Sequence, residues 1–154
     1  ALGFYNSGNK YSYKGATPLT DAMFGIRYII SNDEIWASNL SLCEQTENKY
    51  IYENQQNLAL GYMVNPGVTQ WKIVEGDPFV TQNDFVRMAT DTQGAMFIPL
   101  ETGEPQVTDG MLTSTGEDKY YYERHGSGGS LTWQLTFTEQ QDVYIYLRPV
   151  IVRS

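Results

Sequence analysis

Hydrophobic and polar positions follow two different periods along the chain, and the change of period divides it into two portions. Up to about residue 100, short apolar runs alternate with segments of helical spacing. After residue 110 apolar and polar residues alternate one by one, as in half-buried strands. We predict an α+β fold, with a small helix–strand unit in residues 1–100 and an antiparallel, sandwich-like sheet in residues 101–154.

The first predicted helix begins after Thr17, whose hydroxyl can cap a helix that has Pro18 at its first position. Gly25 supplies the left-handed residue that ends it. A strand is predicted over residues 26–30, and because Arg27 is its only strongly polar residue, we expect this strand to be covered on both faces. The helix has three apolar residues at positions that share one face: Leu19, Ala22 and Met23.

Residues 77–90 predict a second helix with two possible starts. Asp77 followed by Pro78 is a good cap, whereas Thr81 with Asp84 resembles a capping box four residues later. Its apolar set comprises Phe79, Phe85, Val86, Met88 and Ala89. Short apolar runs predict three further strands, at residues 50–52, 58–64 and 95–100.

The second portion opens with a turn or linker at residues 101–110, which is rich in Gly, Pro and Asp. Residues 131–137 and 143–147 both alternate apolar with polar, and the polar turn between them predicts an antiparallel hairpin. Pro149 is expected to confine the last strand to a sheet edge, in a portion cut short at Ser154. Two more strands are predicted at residues 111–115 and 119–124, and a glycine-rich loop is predicted at residues 126–130.

Composition restricts the class of protein. The chain of 154 residues has a net charge of −8, which argues against nucleic acid or anionic lipid as the main partner. Its 12 tyrosines and 3 tryptophans suit a secreted β-rich domain. Cys43 is the only cysteine, and we expect it to be a buried small hydrophobe or a loop residue. No run of 18 apolar residues is present.

Catalytic chemistry is sparse in the sequence. His125 is the only histidine and lies in a glycine-rich stretch, which favours a loop residue over a catalytic base. Asp33 with Glu34, and Glu117 with Asp118, are adjacent acidic residues that more often solubilise a surface than form a catalytic pair. No spacing suits a metal ion. We therefore nominate no catalytic residue, no metal ligand and no cofactor.

Aromatic residues near the N-terminus are the best candidates for ligand contact. Aromatic faces stack on sugar rings, and amines pair with hydroxyls or phosphates. The candidate ligand-binding residues, which we place in an N-terminal loop, are Tyr5, Tyr11, Tyr13 and Lys14. The alternative is that these tyrosines pack against the domain, and we favour it. Trp36 and Trp71 are expected to be packing anchors rather than sugar platforms.

Three segments resemble the YfhO family of bacterial multi-pass membrane proteins. They are SYKGATPLTDAMFGIRYIIS at residues 12–31, YIYENQQNLALGYMVN at 50–65 and DPFVTQNDFVRMAT at 77–90. Their order and spacing also agree with the family, so the resemblance covers roughly the first 90 residues. Gln55 and Ala59 stand where the family pattern has prolines, which leaves the shape of that loop open.

The resemblance implies a non-catalytic soluble segment at the extracytoplasmic face of the bacterial membrane, with transmembrane spans outside this sequence. It implies that the full protein is a glycosyltransferase that moves a sugar from a polyprenyl-phosphate carrier to a cell-wall polymer such as teichoic acid. Expected partners are the membrane-embedded remainder of the protein and cell-surface glycan or the polyprenyl-linked sugar. A glycan-binding module without transferase role is the alternative, and a free-standing hydrolase ranks last.

Overall fold

The computed structural model describes residues 2–13, 16–116 and 119–147, with backbone alone for residues 4–7, 11 and 119. Within these ranges lie two α-helices, one 3₁₀ helix and four small antiparallel sheets, which confirms the predicted α+β class. The chain forms two compact units, one from Ala1–Ile98 with Gln141–Ser154 and one from Pro99–Gln140. The predicted domain division at residue 100 stays a prediction.

The first unit opens with a hairpin and a short helix. Strands β1 (Phe4–Ser7) and β2 (Lys10–Tyr13) pair antiparallel, so the predicted N-terminal loop is a hairpin instead. Helix α1 (Pro18–Met23) has Thr17 as its cap and Gly25 in the left-handed conformation after its end, as predicted. The Gly25 N–H binds the Ala22 carbonyl and the Ile26 N–H binds the Asp21 carbonyl, which completes a Schellman motif.

A three-stranded sheet follows, in the order β3 (Tyr28–Ser31), β5 (Tyr50–Asn54), β4 (Leu40–Gln45). Tyr52 on the central strand is 4% exposed and its hydroxyl accepts the Ile35 N–H at 2.9 Å. Cys43 is exposed where the register between β4 and β5 shifts, so the expectation of burial is wrong and the residue belongs to a strand. Residues 41–45 of β4 are all exposed, so the thiol lies at the surface together with its neighbours.

The expectation that the strand after Gly25 is covered on both faces is wrong. Ile29 pairs with the buried Tyr52 and is half-buried, whereas Ile30 pairs with Ile51 and is 67% exposed. Successive strand residues point to opposite faces of a sheet, so one face of β3 packs inward and the other is bare.

Two predicted strands of the first 100 residues are absent. Residues 58–64 and 95–100 contain no strand, and the first of these runs leads instead into a 3₁₀ helix, Pro66–Gln70. Apolar character alone does not make a strand, because strand preference depends on the packing around the segment. Here the Asn65 N–H that follows the run bonds the Ala89 carbonyl of the helix at residues 78–90 at 2.8 Å and not a neighbouring strand.

Helix α2 (Pro78–Thr90) begins at the first of the two predicted starts. Asp77 caps it by accepting the Val80 N–H at 3.0 Å, and Thr81 is buried within the first turn. Of the predicted apolar set only Ala89 is fully buried, and the others are half-buried. The fully buried α2 residues also include the polar Thr81 and Gln82.

The second unit contains two two-stranded sheets. Strands β7 (Gly110–Gly116) and β8 (Lys119–Arg124) form a hairpin at the predicted positions. Strand β6 (Gln106–Thr108) pairs with β9 (Ser130–Thr132), so the predicted linker at residues 101–110 is partly a strand. Leu131, Trp133 and Leu135 are half-buried and the residues between them exposed, as their alternation predicts. Phe137, which continues the same apolar series, is 44% exposed, so the predicted burial of this residue is wrong.

The predicted hairpin between residues 131–137 and 143–147 is wrong. β9 takes β6 as its partner, Leu135 bridges to Thr102, and residues 143–147 form no strand. Tyr144 is the half-buried residue of the last segment, with its ring 5.6 Å from that of Phe97. Distant edges thus outcompete the nearby segment for pairing. Pro149 and Ser154 lie outside the described residues.

Candidate functional site

A buried polar network surrounds the start of α1. The hydroxyl of Tyr13 lies 2.5 Å from Thr20 Oγ1 and 2.8 Å from Asp21 Oδ1. Thr20 has no exposed surface, and Asp21 is also buried. Thr20 Oγ1 in addition accepts the Thr17 N–H at 2.9 Å, which completes a capping box with threonine in the place of the usual glutamate. The network therefore ties strand β2 to the first turn of α1.

The same network reaches α2 through Gln82. The Thr17 hydroxyl donates to Gln82 Oε1 at 2.6 Å, and both side chains are buried. Buried polar groups are stable only when they are hydrogen-bonded, so each end of this bond fixes the other. A hairpin, a short helix and a long helix are thus held together by side-chain polar contacts in a region with few buried hydrophobes.

Two neighbouring clusters use the same principle. Asn54 is fully buried, donates to the Ile26 carbonyl at 3.0 Å and accepts from Asn39 at 3.1 Å. Thr81 Oγ1 accepts the Val74 N–H at 2.9 Å, and the Trp71 indole donates to the Thr81 carbonyl at 2.8 Å. Trp71 is half-buried and so acts as an anchor.

Burial changes the acid–base behaviour of this site. Desolvation raises the pKa of Asp21, and the hydrogen bond from Tyr13 lowers it by less. Desolvation also raises the pKa of Tyr13, with the Asp21 charge acting in the same direction. The pKa of Tyr144 is raised by desolvation and by the charges of Asp142 and Asp21. The site favours a proton on each of these groups.

We expect the stability of the chain to fall relative to that of Asp21→Asn as pH rises from about 3.9, the usual pKa of aspartate. The folded state binds the Asp21 proton more tightly than the unfolded state, so the stabilisation is complete below the unfolded pKa and is lost as pH rises through the folded pKa. An asparagine can still accept from Tyr13 but does not titrate.

Urea midpoints of both proteins, measured at small pH steps between 3 and 7, test this expectation. The difference between the two curves isolates Asp21 from the remaining carboxyl groups. A difference that does not vary with pH, or one that moves in favour of the natural chain as pH rises, would contradict it.

The predicted ligand-binding residues are placed as follows. Tyr5 and Tyr11 lie on β1 and β2, with Tyr5 opposite Ser12 and Tyr11 opposite Asn6. Tyr13 is half-buried, with its hydroxyl in the polar network and its ring edge-on to Phe24. Lys14 lies outside the described residues. Contact of these four residues with a ligand stays a prediction.

Sequence reasoning missed the network itself. Gln82 is 65 residues from Thr17 in the sequence, and polar residues such as Thr20, Asp21 and Gln82 are more often exposed. A weak signal was present in Thr17 and Thr20, since two threonines three residues apart at a helix start can cap reciprocally.

The other candidate chemistry is dispersed. Asp33, Glu34 and His125 are exposed, and His125 follows β8 directly. In the part of the chain that the structure describes, no group of His, Cys, Asp or Glu residues could hold a metal ion. Glu117 and Asp118 lie outside that part. Trp36 is 84% exposed, so the expectation that it is an anchor is wrong.

A tyrosine of the second unit is packed against two glycines. A Cβ on Gly110 would lie 2.4 Å from the Tyr122 ring and one on Gly129 2.6 Å from its hydroxyl, so neither position has room for a side chain. That hydroxyl is buried and has no hydrogen-bond partner among the described residues. Arg124, which ends β8, donates to the carbonyls of Gly126 and Ser127 and so braces the loop.

Comparison with known families decides the identity of the chain. The sequence profile of the family described as bacterial membrane protein YfhO matches residues 1–150. The chain belongs to this family. The match extends the resemblance seen in the first 90 residues to the β-structure of the second unit. No curated protein and no solved structure matches the chain.

Membership in YfhO gives the chain a membrane-protein context. Neither helix in the described ranges has the length and apolar character needed to cross a bilayer.

Proposed function

We propose that the chain is an extracytoplasmic domain of a membrane-anchored glycosyltransferase, whose transmembrane spans lie outside this sequence. In this proposal the full protein transfers a sugar from a polyprenyl-phosphate carrier to a cell-wall polymer such as teichoic acid. The domain contributes no catalytic residue. It shapes or gates the acceptor side of a site whose reacting groups belong to the membrane-embedded remainder.

The observation that supports this role is the internal use of the polar groups around the family-like segment at residues 12–31. The polar atoms of Thr17, Thr20 and Asp21 are bonded within the domain. A catalytic carboxylate must reach substrate, whereas Asp21 is 4% exposed and holds the Tyr13 hydroxyl. The segment therefore builds the rigid base of the β1–β2 hairpin, and the hairpin is the part that could meet an acceptor.

The experiment is a transfer assay with the full membrane protein in lipid nanodiscs, with radiolabelled polyprenyl-phosphate sugar as donor and teichoic-acid fragments as acceptor. Tyr11→Ala is expected to raise the acceptor KM and to leave the donor KM and kcat unchanged, because a shaping surface binds ground state and transition state alike. His125→Ala is the matched control and should change neither constant.

Two outcomes would contradict the proposal. One is the absence of any sugar transfer to the polymer. The other is a large loss of kcat in Asp21→Asn or Tyr11→Ala protein that is still folded, because this would place reacting groups in the domain.

A glycan-binding module without transferase role is the second candidate, and the exposure of Trp36 favours it. An indole that is 84% exposed between β3 and β4 offers a free face for a sugar ring. NMR titration of the chain with teichoic-acid fragments distinguishes the two candidates. Tight binding with shifts centred on Trp36 supports the module, whereas weak binding with shifts on the β1–β2 hairpin supports the transferase domain.

A further inference from the structure

The segment that follows β5 carries no charge. Residues 54–71 contain no Asp, Glu, Lys, Arg or His, although the chain as a whole has a net charge of −8. The apolar residues are concentrated in the middle of this segment, at residues 58–64, which we term the apolar loop. Amide side chains flank it on both sides, with Gln56 and Asn57 before it and Asn65 after it.

The apolar loop exposes its largest side chains. Leu60 is 98% exposed and Met63 is 100% exposed. In the part of the chain that the structure describes, only two hydrophobic residues are fully buried, Tyr52 and Ala89. Scattered exposed hydrophobes are normal, but a contiguous apolar patch marks an interaction surface. The other exposed apolar residues in and beside the loop are Phe24, Leu58, Tyr62 and Val64.

The loop is held in place at both ends and in the middle. The Gln55 N–H binds the Asn39 carbonyl at 2.9 Å, and the Asn65 N–H binds the Ala89 carbonyl at 2.8 Å. Between them the Tyr62 hydroxyl donates to the Met23 carbonyl at 3.4 Å. The apolar side chains are therefore displayed from an anchored segment.

A glycine permits this close approach. A Cβ on Gly25 would lie 3.3 Å from the Leu58 carbonyl oxygen and 3.6 Å from Leu60 Cδ2. The loop backbone thus rests on the end of α1, and one methyl group of Leu60 lies near Gly25 while the side chain as a whole stays exposed.

We propose that the apolar loop inserts Leu60 and Met63 into the boundary between headgroups and acyl chains of a lipid bilayer. The absence of charge is the deciding property. Hydrocarbon excludes ions, and residues 54–71 carry no charged side chain. The chain has a net charge of −8, so electrostatic attraction to anionic headgroups would not contribute to binding. The flanking amides and Tyr62 suit the headgroup level, where polar and amphipathic groups remain hydrated.

The depth of insertion is limited by the backbone. The loop is irregular, and unpaired backbone N–H and C=O groups are not tolerated in the hydrocarbon region. Only side chains at the tip enter, so the contact is shallow. The proposed lipid contact rests on the fact that the chain belongs to a family of membrane proteins, and it does not require sugar transfer. A negative transfer assay would therefore not contradict the lipid contact.

The first test uses the single cysteine of the chain. With Cys43→Ser as background, Met63→Cys is labelled with bimane and mixed with phosphatidylcholine vesicles that carry nitroxide on the acyl chains. We expect quenching at position 63. Ile30→Cys, which lies on the bare face of β3, is the matched control and should not be quenched.

The second test measures partition of the 154-residue chain by flotation with the same vesicles. Leu60→Asp combined with Met63→Asp should lower the partition coefficient about tenfold or more, since two apolar side chains leave the lipid and two charges replace them. Ile30→Asp should leave the coefficient unchanged. Urea midpoints confirm that each variant is folded.

Lipid charge and salt separate insertion from electrostatic attraction. Addition of phosphatidylglycerol should not increase binding, and raising the salt concentration should not weaken it. The proposal is overturned by equal or absent quenching at position 63, or by binding that salt abolishes. It is also overturned if the aspartate pair leaves partition unchanged and instead removes self-association in analytical ultracentrifugation, because the occupant would then be a second copy of the chain.

Discussion

Tyr52→Ala is expected to lower the free energy of unfolding by about 3–5 kcal/mol. Tyr52 is the most deeply buried aromatic side chain of the described residues, and it lies on the central strand of the three-stranded sheet. Its removal leaves a cavity between strands β3 and β4, and it also leaves the Ile35 N–H without the acceptor that it now has at 2.9 Å. Urea unfolding followed by circular dichroism measures the loss.

Two variants make this expectation specific. Tyr52→Phe keeps the ring and removes only the hydroxyl, so it should cost about 1 kcal/mol. Ile30→Ala lies on the exposed face of the same sheet and should cost less than about 1 kcal/mol. Equal losses at residues 52 and 30 would mean that the sheet has no buried face.

Thr20→Val should lower the free energy of unfolding by about 1–3 kcal/mol, although the two side chains have nearly the same volume. The Thr20 hydroxyl accepts the Thr17 N–H at 2.9 Å and contacts the Tyr13 hydroxyl, in a site with no exposure to water. Valine leaves that N–H unpaired and removes half of the capping box. The loss should appear in urea unfolding and in faster amide exchange at the start of α1.

Thr90→Val is the matched control. Thr90 is exposed at the end of α2, where its hydroxyl donates to the Val86 carbonyl and lies 3.2 Å from the exposed Thr92 hydroxyl, so water can replace either partner. A change within about 0.5 kcal/mol is expected there. If both valines had the same effect, the loss at position 20 would reflect helix propensity and not the buried network.

The polar network also shows why the site was harder to predict than the fold class. Whether a residue forms helix or strand depends largely on neighbours a few residues away in the sequence. The contact between Thr17 and Gln82, in contrast, joins two residues that are 65 positions apart. Burial of Asp21 is acceptable only because Tyr13 is in place to donate to it. Neither Asp21 nor Tyr13 has a property that indicates from the sequence that the two side chains will lie near each other.

Sequence by itself determined several local elements. Thr17, Pro18 and Gly25 set the bounds of α1, because caps and left-handed turns are satisfied by groups within one turn of the helix. For α2 the sequence left two starts open, and the structure begins the helix after Asp77. Strands β7 and β8 lie where the sequence predicts strands, and the structure adds that they pair with each other as a hairpin.

Only the tertiary structure decided how distant parts meet. β9 pairs with β6 and not with residues 143–147, and Ile30 faces outward although its neighbour Ile29 packs inward on Tyr52. Alternation of apolar and polar residues predicts that a strand has one buried and one exposed face. It does not predict which other strand will pair with it, because that depends on which strand edges remain free once the chain has folded. The same holds for the apolar loop. Its run of hydrophobic residues predicts a strand, whereas in the structure the Asn65 N–H at its end bonds the Ala89 carbonyl of α2.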